Sequence, residues 1–135
     1  MFDRVVAHMV LMDIPVLDAL VRDVLHAVKP EGRFIFTTPH PCFFNHKMRR
    51  DEAGRPFRAV TGYHQEEVWR IEGFGGHNHY HRSLTTYFDL LRTHNFTVSR
   101  PFEPEHIPAE TSEASFWRSI PVFILIEAIS LNSSR

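Results

Sequence analysis

Val5, Val6, Met9, Val10, Leu11 and Met12 form an almost unbroken apolar run. Parallel strands covered on both faces have this pattern. Asp13-Ile14-Pro15 closes the run with an acidic cap candidate and a proline suited to a first helical turn. Leu17, Leu20, Val21, Val24, Leu25 and Val28 then recur at helical spacing and predict one buried helix face. Asp18 near its start and Lys29 at its end suit the helix dipole. Pro30-Glu31-Gly32 stops the helix, and Arg33 to Thr38 predicts a second buried strand, rich in aromatic and β-branched residues. Strand, helix and strand in this order make a βαβ unit, which is right-handed with parallel strands in nearly all cases.

The pattern loosens from residue 39 to residue 80. Pro39, Pro41 and Pro56 interrupt it, five glycines relax it, and Phe43, Phe44, Phe57, Tyr63, Trp69 and Phe74 are scattered without a period. Loops this long inside a compact domain are usually functional or mobile. This stretch predicts an excursion over a ligand site, with short strands near 57–63 and 67–72. Regularity returns at Ser83, a cap candidate for a helix that carries Leu84, Tyr87, Phe88 and Leu91 on one face. Asn95 can end that helix in the left-handed conformation. Phe96 to Phe102 predicts a strand, Pro101, Pro104 and Pro108 a loop, and Ile120 to Ile129 the most strongly strand-like segment; Asn132 to Arg135 reads as a frayed tail. The reading is one domain, with a βαβ unit at 1–38, a substrate-side insertion at 39–80 and a C-terminal helix and strand pair at 81–130.

Composition narrows this picture. A length of 135 residues is room for one domain, and 43% apolar with 23% charged residues is ordinary for a soluble globular protein. A net charge of −1 gives no basic footprint for nucleic acid. The one basic cluster, His46-Lys47-Met48-Arg49-Arg50, runs straight into Asp51-Glu52 and reads as a solvated loop. The single cysteine, Cys42, excludes an internal disulfide; a reducing cytoplasm is the natural compartment, and Cys42 reads as a small hydrophobe. His8, Asp13, Pro15 and Asp18 break the N-terminal apolar stretch too often for a signal peptide or a membrane span. Ten histidines are the unusual count. His77, His79 and His81 alternate and would share one face of a strand. Three readings stay open for them: a metal site, a pocket wall with a general base, or a solvated loop.

Two segments then resemble one family. Phe2 to Pro15, opening on Phe-Asp, is similar to the fourth strand of class I S-adenosylmethionine-dependent methyltransferases and the turn after it. Val28-Lys29-Pro30-Glu31-Gly32-Arg33-Phe34-Ile35-Phe36 resembles the turn into their fifth strand, with Glu31 in place of the usual glycine. A type I turn would tolerate that exchange. His40-Pro41-Cys42-Phe43, His81-Arg82-Ser83-Leu84-Thr85-Thr86-Tyr87 and Ile120-Pro121-Val122-Phe123 resemble one subgroup of the family, of the type 11-like kind.

The resemblance implies the C-terminal half of such a domain. Its fold would be α/β, a Rossmann-like sheet of about four strands, one of them antiparallel, with helices on its faces. The family's acidic residue and Gly-x-Gly turn, which bring the backbone to the cofactor, are missing. Gly73-Phe74-Gly75-Gly76 follows no clear strand and opens no helix. The expectation is a truncated methyltransferase that acts on a small molecule and binds S-adenosyl-L-methionine poorly alone. Ala7, His8 and Met9 would meet the cofactor. His40, Phe43, His79 and Arg82 would meet the substrate, and His81 would be the catalytic base. Other readings remain for these positions: a core histidine at His8, packing at Met9, a turn residue at His40 and surface at Arg82. Asp13 reads as a helix cap. The uncovered edge at Val5–Met9 would need a second copy or a partner chain. Two alternatives stand beside this reading: a non-catalytic α/β module that pairs through that edge, and a histidine-rich metal-binding domain.

Overall fold

The computed structural model of the chain describes residues 1–44, 48–105 and 114–132. His46, Lys47, Pro108 and residues 133–135 lie outside the described residues. The central feature is a four-stranded sheet. Its strands are β1 (Phe2–His8), β2 (Val28–Pro39), β7 (Phe96–Phe102) and β8 (Phe123–Ser130), in the order β1-β2-β8-β7. β1 and β2 are parallel, and Val5 lies opposite Phe34. β8 runs antiparallel to both of its neighbours, pairing Phe36 with Ile126 and Phe96 with Ser130. The expected mixed sheet with a single antiparallel strand is therefore present.

Strand alternation decides where the core lies. Phe34 and Phe36 of β2 point to the same face as Ile124, Ile126 and Ala128 of β8, and all are buried. On that face lie α1 (Asp18–Ala27), which contributes Val21 and Val24, and α2 (Leu84–Thr93), which contributes Tyr87 and Leu91. The helical periodicity of both segments is thus realised as a buried stripe. The two helices also touch each other. Among the described residues both long helices pack on this one face. The other face, with Val6, Ile35, Leu125 and Ile129, is exposed or half-buried.

The N-terminal apolar run divides differently from its prediction. β1 ends at His8 because Met9 adopts a left-handed φ of 52°. Leu11–Asp13 then form a short 3₁₀ turn that buries Leu11 and Met12. β1 itself is not covered on both faces, and Phe2 and Val6 are exposed. A short apolar run cannot distinguish a buried strand from a strand followed by a buried turn. α1 starts at Asp18 and not at Asp13, and no side chain caps it. Asp13 is therefore not its cap. Lys29 lies past the helix end, where its ammonium donates to the Asp3 carboxylate at 2.9 Å.

The segment between β2 and α2 forms two hairpins. β3 (Met48–Arg50) pairs with β4 (Pro56–Arg58), and β5 (Val68–Ile71) pairs with β6 (His77–Tyr80). β5 falls at the predicted position, β4 only touches its predicted range, and β3 had no pattern to reveal it. Gly73–Gly75 make a 3₁₀ turn between β5 and β6. The glycine cluster thus follows a strand, yet it leads into a hairpin and not into a helix. α2 begins as predicted: Ser83 Oγ accepts the Thr86 amide at 3.1 Å, and the Tyr63 hydroxyl accepts the Leu84 amide at 3.0 Å. Asn95 follows that helix with φ of 56°. A short helix α3 (Ala114–Arg118) precedes β8, and Ile120–Val122 lead into that strand without joining it.

Candidate functional site

The carboxyl ends of β1 and β2 open into one pocket, and the β5–β6 hairpin forms its far wall. Met9 and Met12 come from the turn after β1, Pro39 and Phe44 from the end of β2 and beyond, and Phe123 from the start of β8. Ile71, His77 and His79 come from the hairpin, and Asp13 completes the lining. The volume is about 520 Å³, within the usual range for small-molecule sites. The lining is mostly apolar, with a few converging polar groups.

Local chemistry explains why these groups stay in place. The left-handed turn at Met9 is fixed by its amide, which bonds both the Thr37 carbonyl and the Thr37 hydroxyl at 3.1 Å. The Leu11–Pro15 turn is held by Arg82. That guanidinium is 8% exposed and donates to the carbonyls of Leu11 (3.2 Å), Ile14 (2.7 Å) and Pro15 (2.9 Å). An arginine fork can satisfy several acceptors from one rigid plane. Tyr87 lies beside it; burial pushes the phenol above its ordinary value, and bonds to Thr38 and Arg82 partly offset this.

An aromatic stack supports the hairpin. Trp69 lies parallel to His79, with centroids 5.1 Å apart, and also stacks on His81 at 5.0 Å. Phe44 closes on His79 at 5.0 Å. The Trp69 indole N–H donates to Glu67 at 2.9 Å. His77 and His79 thus alternate along β6 and both line the pocket, whereas His81 lies just past the strand end.

The residues singled out in the sequence divide into two groups. Met9 and His79 line the pocket. Ala7 packs against the core, and His8 Nδ1 shares a 2.7 Å hydrogen bond with the Thr37 hydroxyl. His40 is buried. Its Nε2–H donates to Glu103 at 2.7 Å, its Nδ1 accepts the Cys42 amide at 3.2 Å, and Phe43 packs on its ring at 4.8 Å. His81 is buried too, and its Nε2–H donates to the Tyr63 carbonyl at 2.9 Å. Neither His40, Phe43, His81 nor Arg82 is among the residues lining the pocket.

Two lining groups escaped the sequence reading as site residues. Asp13 follows the 3₁₀ turn into the pocket, and His77 Nε2 stands 3.8 Å from its carboxylate. The histidine alternation signalled His77, but nothing in the sequence paired it with a residue 64 positions earlier. Among the described residues, no three His, Cys, Asp or Glu side chains converge as a metal site. No described helix is long and apolar enough to cross a membrane.

No protein-family model matches the chain, and no curated protein matches its sequence. Solved structures do match. A protein of Listeria monocytogenes described as an S-adenosylmethionine-dependent methyltransferase is 27% identical, with a TM-score of 0.82 over 97% of this chain. An S-adenosylmethionine-dependent methyltransferase of Mesorhizobium loti is 22% identical, with a TM-score of 0.77 over 95% of this chain. The match spans 62% of each of those two chains. The glycopeptide N-methyltransferase MtfA, complexed with S-adenosyl-L-methionine, is 17% identical, with a TM-score of 0.59 over 96% of this chain and 57% of its own.

Proposed function

The chain has the fold of the class I S-adenosylmethionine-dependent methyltransferases, and from that premise we propose that it forms the acceptor side of an enzyme that methylates a small molecule. The observation that carries this is the pocket's position. Ligands of open α/β sheets bind beyond the carboxyl ends of parallel strands, and Met9 and Pro39 stand there at the ends of β1 and β2. The pocket's size and apolar lining suit a small organic acceptor.

The residues fit S-adenosyl-L-methionine in part. Of the three implied by resemblance, Met9 lines the pocket, whereas Ala7 faces the core and His8 is tied to Thr37. Met9 and Met12 would therefore form the chain's own wall beside the cofactor. When bound, the cofactor supplies an electrophilic methyl group on a sulfonium. The protein's part is alignment of the acceptor, which supplies much of the rate in such transfers. Arg82 acts here as a positioning residue, because it fixes the turn that carries Met12 and Asp13. His40 and His81 act likewise, through Glu103 and Tyr63.

The chain has four methionines, which provide the test. Met9 and Met12 line the pocket, whereas Met1 and Met48 are exposed elsewhere. With ¹³C-methyl methionine, S-adenosyl-L-methionine should shift the Met9 and Met12 signals and leave Met1 and Met48 unmoved. Affinity should be weak, with a Kd of about 1 mM, or roughly −4 kcal/mol. Unmoved Met9 and Met12 signals at several millimolar ligand would end this reading. The uncovered edge of β1 belongs to the same proposal: in isolation it pairs with a second copy of the chain.

A further inference from the structure

The pocket holds one kind of fixed charge. Among its described lining residues, Met9, Met12, Pro39, Phe44, Ile71 and Phe123 are apolar. His79 is buried and stacked between Phe44 and Trp69. That leaves Asp13 and His77 as the polar pair facing the space. Their side chains are 42% and 32% exposed, so both keep access to an incoming ligand. The 3.8 Å gap between them exceeds hydrogen-bond reach, so the carboxylate has not committed its acceptor capacity to the imidazole. No lysine or arginine is among the described lining residues.

This arrangement selects by charge. An anionic acceptor would set a carboxylate against Asp13 in a largely apolar surround, where like charges are costly. A neutral apolar molecule gains contact area but leaves Asp13 without a partner. A molecule with an apolar body and an ammonium group satisfies both parts of the site. Building on the reading of this pocket as the acceptor site, we propose that the acceptor is a small, largely apolar amine that docks its ammonium on Asp13 and sheds a proton to His77.

The chemistry balances. The docked ammonium gives one proton to His77 Nε2 and becomes a neutral amine with a free lone pair. With the cofactor bound, its sulfonium would supply the methyl group to that lone pair, the nitrogen–methyl bond forming as the carbon–sulfur bond breaks. The product leaves as a protonated methylamine beside a neutral thioether, and His77 returns its proton to water. Asp13 binds the cation before transfer and the imidazolium afterwards, so one carboxylate serves both charged states. Imidazole is the side chain most often used for such proton exchange.

Three indoles of matched shape test the charge selection: tryptamine, 3-ethylindole and indole-3-propionate. Binding is read from the ¹³C-methyl signals of Met9 and Met12 in the full chain. Tryptamine should bind about tenfold more tightly than indole-3-propionate at low salt. Asp13→Asn should shrink that ratio to about twofold and leave 3-ethylindole binding nearly unchanged. His77→Gln should keep the tryptamine preference, because His77 receives the proton and does not dock the cation. Equal binding of the three probes, with Met9 and Met12 shifting, would overturn the amine assignment while leaving the pocket reading intact. Failure of all three to move those signals would overturn both. A loss of tryptamine preference in His77→Gln as large as in Asp13→Asn would overturn the division of roles. If Asp13→Asn instead weakened S-adenosyl-L-methionine relative to S-adenosyl-L-homocysteine and left the indoles unaffected, the carboxylate would belong to the sulfonium, and the amine assignment would fall.

Discussion

Glu31 lies within the first residues of β2, where it breaks the extended run with a φ of 60° beside the register shift between Phe2 and Arg4. Proline precedes it, so the turn is of type II, which places its third residue in the left-handed region. The sequence reading allowed a type I turn, because Pro30 fits the second position of either type and the choice shows only in the backbone. Left-handed geometry costs a residue with a Cβ roughly 1–2 kcal/mol, and glycine returns part of that gain as unfolded-state entropy. Glu31→Gly should therefore stabilise the chain by about 0.5–1 kcal/mol in urea unfolding. The neighbouring position responds in the opposite sense. A Cβ on Gly32 would lie 2.6 Å from Val28 Cγ2 and 2.8 Å from the Lys29 carbonyl oxygen. Gly32→Ala should cost about 1–3 kcal/mol, the usual range for overpacking. Equal effects of the two substitutions would remove the type II assignment.

Between β1 and α1 the chain has little regular hydrogen bonding of its own, and Arg82 supplies it from the far side of the sequence. Lysine carries the same charge on a point donor and cannot reach three carbonyls from one plane. Arg82→Lys should cost about 2–3 kcal/mol, the range for hydrogen bonds to a charged group near burial. The Met12 methyl signal should broaden as the turn loosens; a sharp, unshifted Met12 signal with unchanged stability would argue against the clamp. This long-range tie explains what was legible in the sequence. β7, α2 and its Ser83 cap follow from local pattern, whereas β2 starts at Val28, five residues before its predicted start, because the Pro30–Gly32 turn lies inside the strand and not ahead of it. β8 was found, although its start shifted to Phe123. The start of α1 was misplaced because Asp13-Ile14-Pro15 has local cap chemistry, whereas the actual geometry is set by a residue about seventy positions away. The pocket was legible in outline, through Met9, His79 and the strand ends. Asp13 and His77 were not, because only the folded hairpin brings them together.

The two edges of the sheet are built differently. β7 has a register shift between Val98 and Arg100 and a proline at Pro101. Bulges and prolines of this kind discourage further pairing. β1 has no proline, and its only irregularity lies between Phe2 and Arg4, so from Val5 to His8 its outer edge offers a regular row of backbone donors and acceptors. The sheet face beside that edge is apolar in patches: Val6 is 66% exposed, and its neighbour Ile35 is half-buried. An unprotected edge next to exposed apolar surface favours association. Light scattering on the isolated chain should therefore show concentration-dependent self-association at micromolar levels. Val6→Lys sets a charge on that face and should weaken association about tenfold, or roughly 1.4 kcal/mol. A lysine at Thr97, on β7, should have no such effect, since that edge already ends in a bulge. If β1 is where copies meet, Val6→Lys separates them without moving the Met9 and Met12 signals, because Val6 and the pocket lie at different points along the strand. A monomer that persists as concentration rises, or a Thr97→Lys effect equal to that of Val6→Lys, would show that the β1 edge is not the contact.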